Sequence, residues 1–129
     1  MLIKIVIRYP DGRILKGSTA DFSPAKSAFH MRVKDSGENL EIKVEHLKAI
    51  FFVKDFEGDR NYRKRNDAER VGQGRKISVL FKDGELMVGY SQGFSRERVG
   101  FFLVPADSNS NNDKAFIVNA ATINVGFAQ

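Results

Sequence analysis

From Ile3 the chain alternates, with Ile3, Ile5, Ile7 and Tyr9 on one side and Lys4, Val6 and Arg8 on the other. That period of two predicts a half-buried strand. Asp11-Gly12 follows, small residues suited to the positive φ of a tight hairpin turn. Ile14 to Thr19 returns as a second strand and holds Gly17 in its interior. A glycine there marks a sharp bend or the close approach of another backbone. Phe29 to Val33 and Leu40 to Val44 predict strands three and four, joined by the turn Asp35 to Glu38, and Ala49 to Val53 predicts a fifth. Between the last two, Glu45-His46-Leu47 is too short for an ordinary helix and fits a single 3₁₀ turn.

The pattern then recurs. Lys4-Ile5 matches Lys76-Ile77, Asp11-Gly12 matches Asp83-Gly84, and Gly17, Phe22-Ser23 and Phe29 match Gly89, Phe94-Ser95 and Phe101, all at a spacing of 72. These are eight identities between Lys4 and Val33, against about two expected from average residue usage. Later the apolar pattern aligns best at a spacing of 74, pairing Val44 with Val118, Leu47 with Ala121, Phe51 with Val125 and Val53 with Phe127. The two extra residues fall in the polar stretch Ala106 to Asp113, where a loop tolerates insertion. Asn119-Ala120-Ala121 occupies the place of the 3₁₀ turn.

Five short strands, a bent second strand and one helical turn predict a small, strongly curved barrel, whose closure leaves few unpaired edges. The expected fold is therefore all-β: two tandem five-stranded small barrels, residues 1–54 and 76–129, joined by a charged connector, residues 55–75. A unit of some fifty residues buries little core. Phe51-Phe52 and Phe101-Phe102 suggest the remedy, because neighbours on a strand point to opposite faces. One of each pair fills its own barrel, and the other needs a second surface. Phe52, Phe102, Leu2 and Leu80 are the expected outer-face residues through which the barrels pack on each other or on a second chain.

Composition narrows the chemistry. The 129 residues include no Cys, which excludes disulfides, thiolate zinc sites and a cysteine nucleophile. No apolar run reaches the roughly 18 to 20 residues of a membrane-spanning helix, and Lys4 and Arg8 interrupt the one N-terminal apolar stretch, so a cytoplasmic protein without a membrane partner is expected. The net charge of +5 is unevenly spread. Residues 1–54 hold 10 Lys and Arg against 6 Asp and Glu, whereas residues 76–129 hold 5 of each. Such a balance permits nucleic-acid contact and equally serves solubility.

The segment Lys4 to Gly17, with Phe22 five residues further on, resembles the first motif of Sm-like proteins, small barrels that often form rings and bind RNA. In the RNA-binding members an Asp after that Phe and an Asn in the following turn help to build a base pocket. Here Ser23 and Ser95 follow the Phe, so the resemblance implies the barrel shape, close to a Src-homology-3-like barrel, without the pocket. Through Phe51 to Phe56 and Gly100 to Asp107 the chain is also similar to an uncharacterised bacterial family of duplicated small-barrel proteins. That likeness implies no activity.

Two stretches are candidate binding sites. The connector carries Arg60, Tyr62, Arg63, Lys64 and Arg65, cations and a ring that suit phosphates and a stacked base. Asp55, Glu57, Asp59, Asp67 and Glu69 share it and would repel phosphate, which also fits a solvated connector. The Asp/Asn-x-Ser-x-x-Gly element of cyclic-dinucleotide receptors is missing downstream. The second stretch is Tyr90, Gln92, Arg96 and Arg98, where the first copy has Ser18, Ala20, Pro24 and Lys26. An arginine–tyrosine cluster on a barrel loop suits a carboxylate, a phosphate or a protein surface. Asp107 to Asp113 lacks the Gly and closing Glu of a calcium loop. His30 and His46 sit at positions that suit structural or surface roles, and no Gly-rich phosphate loop, metal-binding pair or nucleophile elbow is present. The expectation is a non-enzymatic binding or adaptor module with a protein partner and no cofactor or metal. The alternative is binding of RNA or single-stranded DNA through the basic first half and connector. Homo-oligomerisation is open.

Overall fold

The computed structural model describes residues 2–56, 74–91, 93–106 and 112–127. They form ten strands: β1 Ile3–Arg8, β2 Ile14–Thr19, β3 Ala28–Val33, β4 Asn39–Lys43, β5 Ala49–Val53, β6 Arg75–Phe81, β7 Leu86–Ser91, β8 Gly100–Pro105, β9 Asn112–Val118 and β10 Thr122–Phe127. The two helical turns are 3₁₀, Val44–His46 before β5 and Asn119–Ala121 before β10. The hairpin turns read from Asp11-Gly12 and Asp83-Gly84 are present, with φ of 96° at Gly12 and 94° at Gly84.

All strands belong to one antiparallel sheet in the order β10-β6-β7-β8-β9-β5-β1-β2-β3-β4. Each half thus has the same internal order. The sheet is not closed into a barrel, which corrects the expectation of two barrels. The reason lies in β5, whose edges pair with β1 and with β9 of the other half, leaving β4 without β5 as a closing partner.

The seam explains the composition of β5, in which all five residues are buried. A strand covered on both faces loses the alternation of a half-exposed one and reads as a continuous apolar run. Ile50 and Phe52 join a core with Ile5, Ile7, Phe29, Met31 and Ile42. Ala49, Phe51 and Val53 join the other, with Ile77, Val79, Phe81, Phe101 and Leu103. In return β9 gives Phe116 and Val118 to the first core while Ala115 and Ile117 stay in the second. Each core is built from both halves.

This sharing adds Phe51 to the contact between the halves expected of Phe52 and Phe102. Phe51, rather than Phe52, reaches the core of the other half. Phe102 does pack against the first core, and its ring centroid lies 6.2 Å from that of Phe52. Leu2 is 59% exposed and Leu80 is half-buried, and neither belongs to a core cluster. The pairing of the halves past β4 also needs correction. Ile7 pairs with Ile50 and Val79 with Val125, so the spacing there is 75. The apolar match at 74 is one residue out, and a one-residue slip exchanges the two faces of a strand. Since β5 is apolar on both faces, it fits the pattern of β10 equally well in either register.

Gly17 and Gly89 sit at the close approach of neighbouring strands. A Cβ on Gly17 would lie 2.1 Å from the Arg32 carbonyl oxygen, and one on Gly89 2.4 Å from that of Val104. Only a residue without a side chain lets β2 cross β3 and β7 cross β8 so closely.

A buried cation fastens the two halves. Lys48, 4% exposed, donates from Nζ to Asp83 at 2.6 Å and to Glu85, both in the β6–β7 hairpin. The same Nζ sits 4.6 Å from the Phe81 ring centroid. Its backbone N–H donates to Arg8 and its carbonyl accepts from Val118. The Lys48 ammonium, followed by the backbone N–H of Glu85, holds the Asp83 carboxyl below its ordinary 3.8.

Two outcomes follow. Gly17→Ala and Gly89→Ala should each cost about 1–3 kcal/mol, the usual range for overpacking; denaturant unfolding matching the parent would contradict the close approach. Lys48→Met should lower the melting temperature at neutral pH. A depressed carboxylate stabilises the fold above its unfolded value and loses that contribution on acidification. The gap between parent and variant should therefore be full above about pH 3.8 and narrow below it. A gap independent of pH would show that Lys48 acts by packing alone.

Candidate functional site

The loop from Gly93 to Val99 leaves β7 after Tyr90-Ser91 and re-enters the sheet at β8. Phe94 anchors it edge-on against Phe101, with ring centroids 4.8 Å apart. Asn119 of the second 3₁₀ turn donates from Nδ2 to the Ser95 carbonyl at 2.8 Å and to the Arg98 carbonyl at 2.9 Å. Its backbone N–H donates to Val99. The loop is thus tethered at three carbonyls, with its cationic side chains exposed. The Arg96 guanidinium lies 5.8 Å from the Phe94 ring centroid.

Beside this loop runs an apolar groove of about 340 Å³ lined by Pro24, Tyr90, Arg98, Phe102, Val104 and Phe116, among others. Tyr90 and Val104 are register partners on β7 and β8. The floor is stiff because Phe22 meets four rings edge-on: Phe29 at 5.3 Å, Phe52 at 5.6 Å, Phe102 at 6.2 Å and Phe116 at 5.2 Å. Edge-to-face contacts are the favoured geometry of aromatic pairs. Lys114 holds its ammonium 4.8 Å from the Phe102 centroid and 5.1 Å from that of Phe52. A second cleft, about 570 Å³, shares Pro24 and Arg98 and adds Lys26, Ser27, Glu45 and Val99. Pro24 comes from the first half and Arg98 from the second, so the groove exists only where the halves meet.

Of the residues singled out in the sequence, Tyr90 and Arg98 share this groove and Arg96 stands on the adjoining loop. Gln92, Arg60, Tyr62, Arg63, Lys64 and Arg65 lie outside the described residues, as does most of the polar stretch after Ala106. Sequence reasoning missed Phe116, which β8–β9 pairing sets beside Phe102, and Pro24, which reaches the groove from the other half across the seam. Among the described residues, no three His, Asp or Glu side chains group as metal ligands, and no helix is long and apolar enough to cross a membrane.

The outward faces of the two halves differ at five positions, although Lys4 keeps a lysine in Lys76 and Val6 corresponds to Ser78. Arg8, Lys16, Ser18, His30 and Arg32 of the first half correspond, at the spacing of 72, to Leu80, Val88, Tyr90, Phe102 and Val104. One face is cationic where its counterpart is apolar and aromatic. Comparing outward positions alone would have exposed this in the sequence.

On the first half, Asp21 braces His30. Asp21 Oδ2 is 2.7 Å from His30 Nδ1, Oδ1 accepts the His30 backbone N–H at 2.9 Å, and the Thr19 hydroxyl donates to the His30 carbonyl at 2.8 Å. The His30 ring, then its backbone N–H, bring the Asp21 carboxyl down to about 2. His46 is exposed in its 3₁₀ turn. In His30→Ala, Asp21 should titrate nearer its ordinary 3.8 by carboxyl NMR. The pair's stabilisation should be full above about pH 3.8 and fade as pH falls toward 2. An unmoved Asp21 titration would refute the pairing.

No curated protein and no solved structure matches the chain. A family model matches residues 2–127, nearly the whole length and both halves of the sheet, and on that match the chain belongs to DUF6982, a family of unknown function.

Proposed function

We propose that this chain is a non-enzymatic binding module, an adaptor, and that the groove between Pro24 and Arg98 takes an extended segment of a protein partner. The observation that carries the reading is a preformed aromatic floor with a guanidinium on its rim, shared by two adjoining clefts. Aromatic and arginine side chains around a desolvated centre are the usual anchors of protein interfaces. The cations Lys26, Arg98 and Lys114 favour a partner segment with an apolar side chain flanked by carboxylates. The lining of the first cleft holds no histidine or carboxylate and no hydroxyl other than the Tyr90 phenol, while the second cleft adds the Ser27 hydroxyl and the Glu45 carboxylate. The halves themselves we read as diverged copies of one Sm-like unit, residues 1–54 and 76–129, with 55–75 as connector. Their common strand order and the matched crossings at Gly17 and Gly89 support this.

Arg98→Glu and Val104→Lys test the groove. The parent should capture the same protein from native extract with or without nuclease, and each variant should lose it while melting like the parent. An arginine anchor contributes about 2 kcal/mol or more, roughly 30-fold in Kd. Reversing the partner's carboxylate to lysine should restore binding to Arg98→Glu. Capture that needs intact nucleic acid, or that ignores both substitutions, would overturn the proposal.

A further inference from the structure

The chain carries a second surface of different chemistry. We infer that the outward face of β1, β2 and β3 binds the phosphate backbone of single-stranded nucleic acid. Strand pairing places the cations in two rows. Lys4 pairs with Ser18 and Ser18 with Arg32, forming one row across the three strands. Val6 pairs with Lys16, and the Lys34 backbone N–H donates to the Lys16 carbonyl, forming the next. Neighbouring strands lie about 4.8 Å apart and outward residues on one strand about 7 Å apart. Lys4, Lys16, Arg32 and Lys34 therefore share one compact patch, and all four are exposed. Successive phosphates of one extended strand can each meet a cation there.

Three observations set this patch apart from an ordinary solvated face. No carboxylate occupies an outward position of β1, β2 or β3, and the nearest sheet acid, Glu41, stands opposite His30 on β4. Among the described residues, none of the four cations forms an ion pair. At three of the four corresponding places the other half has Val88, Val104 and Ala106, so the charge is particular to this face rather than to the sheet. Phe56 borders the patch, with the Lys4 and Lys34 ammoniums 5.7 Å and 5.5 Å from its ring centroid. Since Phe56 is half-buried and also packs on the second core, its ring positions the two lysines and leaves no stacking platform. Recognition by backbone charge alone predicts little base preference and steep dependence on salt.

Fluorescence anisotropy of the full chain with labelled oligothymidylate and an unstructured RNA tests this. Both should bind at low salt. Four phosphate contacts give a slope of log K against log salt of about −2.8, and each Lys→Gln change at Lys4, Lys16 or Lys34 should shallow it by about 0.7. Lys16→Glu combined with Arg32→Glu should abolish binding at low salt with an unchanged melting curve, both positions being exposed. The groove variant Arg98→Glu should bind the oligonucleotides like the parent, which separates failure here from failure of the protein-docking reading. Three results would overturn the inference: no binding at low salt, binding indifferent to the charge reversals, or displacement by polyglutamate as effective as by the unlabelled oligonucleotide. The last would assign the face to an acidic polypeptide.

Discussion

The fold depends on a single strand that has no free edge and no free face. β5 pairs with β1 on one side and β9 on the other, and its five buried side chains divide between two cores. Neither core is complete without the other half, because Phe51 and Val53 finish the second and Phe116 and Val118 finish the first. A sheet of five strands with one open face would bury too little to stand comfortably alone. Placing an apolar strand between two such sheets converts two marginal cores into one mutually dependent pair. Lys48 immediately precedes this strand, which is why one side chain can reach the opposite hairpin while its backbone bonds to both Arg8 and Val118.

The groove is a by-product of that seam. Sharing Phe116 and Phe102 with the first core brings the β7–β8 loop against the loop that holds Phe22 and Pro24. The rings that fill the junction are also the floor on which a ligand would rest, so floor and fold are stabilised by the same contacts. At the rim, where Arg98 and Lys26 are exposed, side chains line the groove without packing in a core. On the far half Val6 of β1 joins the second core, and charge has accumulated at the exposed outward positions of β1, β2 and β3 around it. The two halves keep one backbone plan and place opposite surface chemistries on it.

Much of this plan is legible in the residues. The turns at Asp11-Gly12 and Asp83-Gly84 and the interior glycines Gly17 and Gly89 each specify a local geometry, and each is found, whereas the alternation read in β1 breaks down because Ile3 is exposed and Val6 is buried in the second core. The 3₁₀ turn lies within one residue of the expected Glu45-His46-Leu47. Legibility fails at β5 for a physical reason: alternation reveals which face is buried only when the other is wet. A strand buried on both sides conceals its register, which is how the part of Phe51 in the other half's core goes unread and the spacing of 75 passes for 74. The open sheet was hidden likewise, because local pattern predicts five strands and a bend without saying which edge takes which neighbour. The Lys48–Asp83 ion pair, and the cleft that Pro24 and Arg98 line together, lie across the seam and leave no periodic trace.

The seam also explains why the sheet stops at ten strands. Its outer edges, β10 and β4, correspond to the joined pair β5 and β9. At the join Ala49 faces Ile117, Ile50 faces Phe116 and Phe51 faces Ala115, apolar on both sides of the sheet. The matching positions on the outer edges are Asn124, Val125 and Gly126 on β10 and Ile42, Glu41 and Leu40 on β4. Continuing the sheet in that register would set Glu41 against Val125 and leave Gly126 with no side chain where Phe51 fills a core. A charged residue on an edge strand discourages further pairing, and Lys43 adds a second charge to the same edge. Among the described residues, the strand pairing that joins the halves is made by β5 and β9, and the outer strands do not offer two apolar faces.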